Sequence, residues 1–390
     1  MTTTQQLYID KHEKFFNRFL SVLPSKLQSE DSNKLAIIYF SLYGLSIIKR
    51  FKFSEVERKL FINSIYDSHL IDTEIYTAFR ATSYFKSDDH KSHKYDLPNL
   101  ASSLFSLQIL LVLKDDFSKR INNHKIMKFL QLSQIKSGVN KGSFSPTLIN
   151  TDSSITVNYG ETDIRLCYIA ASIRKLIKYD QLQPSQRIND IDIPLVVSFI
   201  KSRLNANGGF SSEILDESHL GYTYCALACL RLLDYDIESD IELGKVVNWL
   251  VHRQVDFPEP LYTKDEDEEY DYEYYRDVDI GSFNGRENKF GDTCYSWWCL
   301  GSLKVINHDY VNLINLQTNY KYLLNQVQNK LLGGFSKDPF SNPDPQHSFL
   351  ALASLSLTND FSEELDEIDE SLVITGQSKQ YWLKHINYPS

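Results

Sequence analysis

The residues with the clearest capacity for chemistry lie together in one short segment of the chain. Asp292 and Cys294 are separated by a single residue, and Arg286 and Lys289 lie just before them. Carboxylate and thiolate groups are both zinc ligands, and arginine and lysine side chains suit a substrate that carries phosphate. The same residue types could form a surface salt-bridge cluster. The apolar residues at 297–300 favour instead a buried helix that begins here.

A third zinc ligand is available further along the chain, at His347. Asp292, Cys294 and His347 would give three protein ligands and leave one position open, which is the arrangement of a catalytic zinc site. Spacing alone supports this weakly, because His347 is distant from Cys294 in the sequence. A single histidine near the start of a helix could also cap the helix or pack in the core.

Six segments that could position these residues have apolar side chains at the i, i+3, i+4 and i+7 spacing of helices. They are Lys34–Ile48, Leu97–Leu113, Asp163–Ile177, His219–Leu233, Asp292–Val305 and His347–Leu357. The alternating patterns of strands are scarce, and the sequence contains only 15 Gly and 11 Pro. The sequence therefore predicts an all-α protein.

A Gly-(Gly/Ser)-Phe turn recurs among these segments. Its copies end at Phe144, Phe210, Phe283 and Phe335, and each is followed by a polar stretch and a helix rich in small residues. Self-similarity on this scale is typical of helical-hairpin arrays. The array could be an open α-solenoid that serves as a binding scaffold, or a closed α-α toroid with the small-residue helices inside.

The repeat also predicts which residues share a site. Arg165, His219, the Asp292 and Cys294 pair, and His347 all lie where one of these helices begins. In a toroid such positions converge on one rim, where helix N-termini add partial positive charge. The repeat thus favours one polar site that combines zinc ligands with cations.

The overall composition excludes several classes of protein. The 390 residues include 41 basic and 51 acidic side chains, for a net charge of -10, which argues against a nucleic-acid partner. The five cysteines are an odd number, and most lie in helical apolar patterns, as reduced thiols do. Met1–Lys11 is polar, unlike a signal peptide, and no apolar run approaches the ~20 residues of a membrane span. A cytoplasmic protein with no integral membrane segment is expected.

Two segments interrupt the helical pattern. Residues 263–280 are acidic and rich in tyrosine, and we interpret them as a solvated loop insertion. The tail, 359–390, is also acidic at first and predicts a loop before a last helix, Gln377–His385. We expect residues 1–390 to form a single toroid domain.

Several motifs of the chain resemble the β subunit of protein prenyltransferases. They are Gly285-Arg286-x-Asn288-Lys289 with Asp292-Thr293-Cys294-Tyr295, Glu217-Ser218-His219, Gly333-Gly334-Phe335-Ser336-Lys337, and Pro343-Asp344-x-x-His347. The N-terminal residues 11–24 and 35–45 resemble the type I geranylgeranyltransferase β subunit in particular. The likeness extends, with gaps, from about residue 10 to 358.

This resemblance implies an α-α toroid that pairs with a separate α subunit shared with farnesyltransferase. The implied reaction transfers a geranylgeranyl group from geranylgeranyl diphosphate to the cysteine of a C-terminal CaaX motif, as found in small GTPases. Asp292, Cys294 and His347 would bind one catalytic Zn2+, with the substrate thiolate as fourth ligand. By resemblance, His219, Arg286, Lys289 and Tyr295 would bind the diphosphate, and Arg165 would lie near the lipid and peptide pocket.

Two positions distinguish between prenyltransferases, again by resemblance. Ala36 replaces a bulky tryptophan of farnesyltransferases, which leaves room for a fourth isoprene unit. Lys337 replaces an aspartate that binds Mg2+, so we expect Mg2+ not to be required, although Lys337 could also be an exposed loop residue. Trp298 and Tyr224 would line the lipid cavity, or pack in the core. Leu350 replaces an expected aromatic, but a CaaX peptide that ends in leucine remains the preferred substrate.

Other functions stay open at this stage. A farnesyltransferase β subunit is disfavoured by Ala36 and Lys337, and a Rab-type β subunit by the N-terminal likeness. A terpene cyclase on the same toroid would need a buried acidic motif, for which the solvated segment 263–280 is a poor substitute. A non-enzymatic α-solenoid scaffold would explain the repeats but not the Asp, Cys and His at matched levels.

Overall fold

Helices dominate the computed structural model, which describes residues 6–86, 96–150, 156–256 and 276–388. Fourteen α-helices occur in these ranges: α1 Ile9–Ser21, α2 Lys34–Ile47, α3 Glu55–His69, α4 Leu100–Val112, α5 Asn123–Ser133, α6 Ile164–Leu176, α7 Ile193–Lys201, α8 Leu220–Leu232, α9 Ile237–Asp240, α10 Leu243–Val251, α11 Cys294–Ile306, α12 Leu316–Lys321, α13 Pro345–Ser356 and α14 Gly376–His385. A π-helical segment, Tyr322–Val327, continues α12. The predicted all-α fold is confirmed.

Helices α2, α4, α6, α8, α11 and α13 form a closed inner ring, in which each packs on the next and α13 packs on α2. They are the six helices that the periodicity predicts. Most of their residues are buried, because they are mainly apolar or small and are enclosed by protein. They run in the same direction, so their N-termini share one rim.

A helix that is buried on one face precedes each inner helix in the chain, as in a helical hairpin. Helix α5 buries Ile126, Met127, Phe129 and Leu130, and α10 buries Val246, Trp249 and Leu250. The opposite faces of these helices are polar and solvent-accessible. They form the outer layer of the toroid with α1, α3, α7 and α12.

Short antiparallel hairpins link outer and inner helices in the described ranges. The strands are β1 Leu70–Asp72, β2 Thr77–Phe79, β3 Thr147–Asn150, β4 Thr156–Tyr159, β5 Phe283–Asn284, β6 Gly291–Asp292, β7 Phe335–Ser336 and β8 Pro343–Asp344, paired in sequence order. In the last two hairpins Phe283 lies opposite Asp292 and Phe335 opposite Asp344. The two hairpins are therefore equivalent, and each presents a carboxylate at the start of an inner helix.

The recurring glycine turns fix the packing between repeats. Gly142, Gly208, Gly281 and Gly333 all have positive φ, between 76° and 101°. A Cβ atom on any of them would collide with the backbone of the next outer helix, at Leu195, Lys245, Thr318 and Lys11, respectively. Since Lys11 belongs to α1, the last repeat uses the first helix as its outer neighbour, which closes the ring and excludes the open solenoid.

Side-chain hydrogen bonds hold this closure. The Gly334 amide donates to Nδ1 of His12 at 2.9 Å, and the other ring nitrogen, Nε2, lies 2.9 Å from Oε1 of Gln328. The same Gln328 oxygen accepts from the Tyr8 amide. His12 is fully buried and stacks on Phe335. The N-terminal helix is therefore an integral part of the ring.

The two interruptions of the pattern have different outcomes. In the tail, α14 matches the predicted last helix to within one residue at its start. Of the acidic insertion at 263–280, only residues 276–280 are described, and the rest lies outside the described residues. No described helix is long and apolar enough to cross a membrane. A single domain over residues 1–390 stays a prediction.

Candidate metal and diphosphate site

Asp292 and Cys294 are positioned by the junction between β6 and α11. Asp292 ends the strand and Cys294 is the first residue of the helix. The Cys294 amide donates to Oδ1 of Asp292 at 2.9 Å, which orients the carboxylate over the helix N-terminus. Between them the Thr293 amide donates to the Lys337 carbonyl at 2.9 Å, so this turn is fixed to the next repeat. Asp292 and Cys294 are 8% and 9% exposed.

His347 approaches from the equivalent turn of the next repeat. It is the third residue of α13, whose N-cap is Asp344. Asp344 holds it twice, because Oδ1 accepts from the His347 amide at 3.0 Å and Oδ2 lies 2.5 Å from Nδ1. The other ring nitrogen, Nε2, lies 3.3 Å from Oδ1 of Asp292. The ligand atoms of Asp292, Cys294 and His347 are all within 4.8 Å of one another.

The protonation of this cluster depends on burial and on the paired charges. Burial raises the pKa of the Cys294 thiol to about 12, so by itself it is a neutral thiol at pH 7. Burial would lower the pKa of His347, but hydrogen bonds to Asp292 and Asp344 raise it above its ordinary value. In turn, the hydrogen bond from His347 lowers the pKa of Asp292 despite its burial. The cluster holds protons that a cation could replace.

The donor set fits a zinc ion. Sulfur, imidazole nitrogen and carboxylate oxygen are the ligand types that zinc prefers, at ~2.0–2.3 Å from the ion. Ligand atoms around such an ion are about 3.3–3.8 Å apart in a tetrahedral arrangement, and the observed limit of 4.8 Å requires only small side-chain adjustments. Asp344 meets the usual requirement that a ligating histidine has a carboxylate partner on its other nitrogen.

One cation, Lys337, lies beside the cluster, and two more, Arg286 and Lys289, lie in the loop between β5 and β6 that leads to Asp292. Lys337 lies 3.8 Å from Oδ2 of Asp292 and its side chain is 57% exposed. Arg286 pairs with Glu217 at 3.1 Å, and both side chains are 46% exposed. Lys289 is exposed in the same turn as Arg286. Such exposed pairs are weak, so these cations are able to move towards an anionic ligand.

His219 and Tyr295 form a pair beside these cations. His219 caps α8, where its Nδ1 accepts from the Gly221 amide at 3.0 Å, and its Nε2 lies 3.2 Å from the Tyr295 hydroxyl. Burial, together with Arg286 and Arg165, lowers the pKa of His219 to about 4. The imidazole is therefore neutral, and its proton is assigned to Nε2 because a backbone amide occupies Nδ1. Gly285 leaves the space that the Tyr295 ring fills.

Arg165 lies on the same rim, at the start of α6. The N-cap residue Asp163 accepts from its guanidinium at 2.6 and 3.1 Å, and the guanidinium also lies over the Tyr222 ring. The side chain remains 60% exposed. Arg165 is thus held in one orientation with its surface still available to a ligand.

A cavity of about 750 Å³ extends from this rim into the ring. It is lined by five residues that the sequence analysis had named: Ala36, Arg165, Trp298, His347 and Leu350. Its surface is mainly apolar, with contributions from Phe40, Phe105, Ile169 and others. This volume is within the range of small-molecule sites. The metal cluster therefore opens, through His347, onto a cavity suited to an apolar chain.

The structure brings together the residues that sequence analysis placed on one rim. Of the two aromatic residues expected to line the cavity or to pack in the core, Tyr224 packs in the core: it is fully buried and lies behind Trp298 at a ring distance of 5.0 Å. Sequence analysis also assigned no role to the carboxylates that orient the site, Asp163, Glu217 and Asp344. The sequence did indicate two of these carboxylates, since Asp163 and Asp344 precede Arg165 and His347 at the spacing of helix N-cap residues.

Comparisons with known proteins agree with this geometry. Residues 7–374 match the model of the prenyltransferase alpha-alpha toroid domain family. The chain is 28% identical over 370 residues to the geranylgeranyl transferase type-1 subunit beta of Dictyostelium discoideum, covering 90% of each chain. It is 29% identical to the protein of the same name from Arabidopsis thaliana, over 89% of this chain and 84% of that one.

A solved structure is more similar still. The chain shares 50% identity and a TM-score of 0.90 with a structure described as Candida albicans protein geranylgeranyltransferase-I complexed with GGPP, over 98% of this chain and 100% of that chain. The resemblance that the sequence motifs indicate is confirmed. The chain therefore belongs to the prenyltransferase alpha-alpha toroid family and, within it, to the geranylgeranyl transferase type-1 β subunits.

Proposed function

We propose that the chain is the catalytic β subunit that transfers a geranylgeranyl group from geranylgeranyl diphosphate to the cysteine thiol of C-terminal CaaX sequences. One observation carries this proposal: His347 belongs both to the cluster with Asp292 and Cys294 and to the lining of the apolar cavity. A thiol acceptor at the cluster and a lipid in the cavity would then meet at the rim. Family membership supports the same reaction.

The proposed cofactor is one Zn2+ ion held by Asp292, Cys294 and His347. When bound, it would lower the pKa of an incoming cysteine thiol, so that the nucleophile is a thiolate at neutral pH. Asp344 keeps Nε2 of His347 directed at the cluster by accepting from Nδ1. Burial of Asp292 and Cys294 excludes water from two of the three ligands.

The leaving diphosphate would be bound by His219, Arg286, Lys289 and Tyr295. Neutral His219 and the Tyr295 hydroxyl can each donate a hydrogen bond, while Arg286 can bind two oxygens at once and Lys289 acts as a point charge. Negative charge grows on the leaving oxygens as the C–O bond breaks, so donors held in place there lower the barrier. Arg286 would exchange Glu217 for the diphosphate.

Lys337 is proposed to replace Mg2+. Its ammonium lies 3.8 Å from Asp292, and its half-exposed side chain can reach towards the rim. The charge that it adds beside a diphosphate would reduce the need for a divalent cation. Activation of the wild-type enzyme by Mg2+ that persists at the same strength in Lys337→Ala would contradict this role.

We further propose a heterodimer with an α subunit of the kind shared with farnesyltransferase, CaaX-ending small GTPases as acceptors, and a cytoplasmic location. The test is co-expression with that subunit, followed by assays of geranylgeranyl and farnesyl transfer to CaaL and CaaM peptides. We expect geranylgeranyl transfer to CaaL to dominate. Farnesylation of CaaM at equal or higher efficiency would overturn the type I assignment in favour of a farnesyltransferase.

The metal assignment is tested separately by zinc content. Cys294→Ala and His347→Ala should each lose both bound zinc and turnover, because two ligands hold the ion poorly. Cys299→Ala provides a matched control, since Cys299 is a buried thiol on the same helix outside the cluster. Full zinc content in either ligand variant would refute the assignment, and a zinc-free wild type would favour a scaffold.

A further inference from the structure

A hairpin in the C-terminal segment enters the ring from the end opposite to the metal cluster. Ile368 bridges to Thr375, and Asp369 and Ile374 are joined by a backbone hydrogen bond of 2.8 Å. The side chain of Asp369 accepts from the amides of Ser371 and Leu372 at 3.0 and 2.7 Å. We call residues 369–373 the plug loop. Its shape is set by its own hydrogen bonds.

Four inner helices each donate a side-chain hydrogen bond to a carbonyl of the plug loop. The bonds are Tyr224 to Glu370 at 2.7 Å, Tyr168 to Ser371 at 2.9 Å, Gln108 to Leu372 at 2.9 Å and Tyr39 to Val373 at 2.7 Å. Helices α8, α6, α4 and α2 thus bind successive residues of the loop. The loop therefore lies on the axis of the ring, where residues 371–373 are buried.

Val373 is the residue of the plug loop that reaches the apolar cavity. It lines the cavity together with Tyr39, Gln108 and Tyr168. Gln108 lies eight residues inside α4, about 12 Å from the start of that helix, whereas His347 lies at the rim. Val373 therefore closes the deep end of the cavity whose open end carries the metal cluster.

The backbone of Val373 has φ of +54°. This left-handed conformation is an outlier for a β-branched residue. Such conformations persist where the surroundings determine them, and they concentrate at functional positions. Here the surroundings are the hydrogen bond from Tyr39 and the ion pair of Asp369 with Lys379 at 2.6 Å.

From this geometry we infer that Val373 is the floor below the far end of the isoprenoid, and that it limits the chain length the cavity accepts together with the wall at Ala36. The inference builds on the proposed function, because it concerns which diphosphate is used rather than which reaction occurs. Each carbon added to the Val373 side chain takes space at the floor that a carbon of the ligand would otherwise fill.

The test compares Val373→Ile and Val373→Gly in the heterodimer. Kinetics of the C15, C20 and C25 isoprenoid diphosphates are measured with one CaaL peptide. One methylene changes selectivity in an apolar pocket by roughly tenfold or more. We therefore expect Val373→Ile to lower the C20 to C15 ratio of kcat/KM by roughly tenfold. Val373→Gly should raise the C25 to C20 ratio by a similar factor.

A matched control separates the cavity from the backbone. Lys114→Gly removes a side chain from a residue with φ of +59° that is exposed and does not line the cavity. We expect it to leave both ratios unchanged. Thermal midpoints of all variants show whether each is folded. If Val373→Gly unfolds, Val373→Ile still tests the inference, because isoleucine keeps the β-branched side chain.

The outcomes are distinct. Unchanged ratios in a folded Val373→Ile or Val373→Gly heterodimer would overturn the role of Val373 while the proposed transfer reaction stands. A change of the same size in Lys114→Gly would also overturn it, since the backbone and not the cavity would be responsible. A wild-type heterodimer that transfers no isoprenoid would overturn the proposed function, and this inference with it.

Discussion

Asp344 offers a way to weaken the metal site without removing a ligand. Its Oδ2 lies 2.5 Å from Nδ1 of His347, and its Oδ1 caps the amide of the same residue. Asp344→Asn keeps one oxygen for the amide but replaces the charged acceptor with an NH2 group, which cannot accept from Nδ1. The variant removes a charge-assisted hydrogen bond and changes little else.

The expected magnitude follows from that single contact. A hydrogen bond to a charged group contributes ~1.5–3 kcal/mol, which corresponds to a factor of roughly 10–150 in an equilibrium constant. This agrees with the ~10–100-fold loss of metal affinity that follows loss of such carboxylate partners in other proteins. We therefore predict that the zinc dissociation constant of Asp344→Asn rises about 10- to 100-fold.

The assay is competition for zinc against a chromophoric chelator at pH 7, with the heterodimer. Asp192→Asn is a suitable control, because Asp192 is also an N-cap aspartate, at the start of α7, where it accepts from the Leu195 amide at 3.1 Å. The control also exchanges a carboxylate for an amide that can still cap its helix, and it should lose no zinc affinity. Equal zinc affinity in Asp344→Asn and wild type would refute the reasoning.

Three further predictions concern the ring and the rim. Gly333→Ala should lower the free energy of unfolding much more than Gly138→Ala does. A Cβ at Gly333 would meet the Lys11 backbone, whereas Gly138, with φ of +81°, has open space around it. Equal losses of unfolding free energy in urea titrations would argue against the contact. Burial lowers the pKa of His12 from 6.5 to about 4, so the free energy of unfolding should fall by on the order of 3 kcal/mol as the pH drops from 6.5 to 4. His12→Gln should lack this part of the pH dependence of unfolding. A pH profile identical to that of the wild type would contradict the prediction. Tyr295→Phe removes the hydroxyl beside His219 and should lower kcat of geranylgeranyl transfer about tenfold or more, with zinc content unchanged; an unaltered kcat would remove Tyr295 from the diphosphate site.

Sequence periodicity predicted all six inner helices, to within three residues at each end. These helices are mainly apolar or small and are 12 to 14 residues long, which is a strong signal. Outer helices were not predicted individually, since α7 and α10 span only 9 residues. Their amphipathic pattern is short, and α12 continues into a π-helical segment.

The site was predictable to the extent that the repeats align its residues. Equivalent positions at helix starts indicated that Asp292, Cys294 and His347 converge, and the structure brings their ligand atoms within 4.8 Å. The plug loop could not be predicted in this way, because it belongs to no repeat. Its partner Tyr39 appears in the sequence as an ordinary core aromatic, and Tyr224 as a residue of the lipid cavity or the core. Only the fold shows that their hydroxyl groups donate to the plug loop.

The closure of the ring has a consequence for how the protein is made. Tyr8 and Gln328 are 320 residues apart in the chain but are hydrogen-bonded across the closure. At ~5–20 residues per second of synthesis, α1 would wait roughly 15–60 s for its last partner to emerge from the ribosome. During that interval the apolar flanks of α2 and the growing inner helices are uncovered. Nascent chains of this protein therefore pass through a long state that is prone to aggregation and suited to chaperone binding, and the ring around the cavity closes only once α1 has met Gln328.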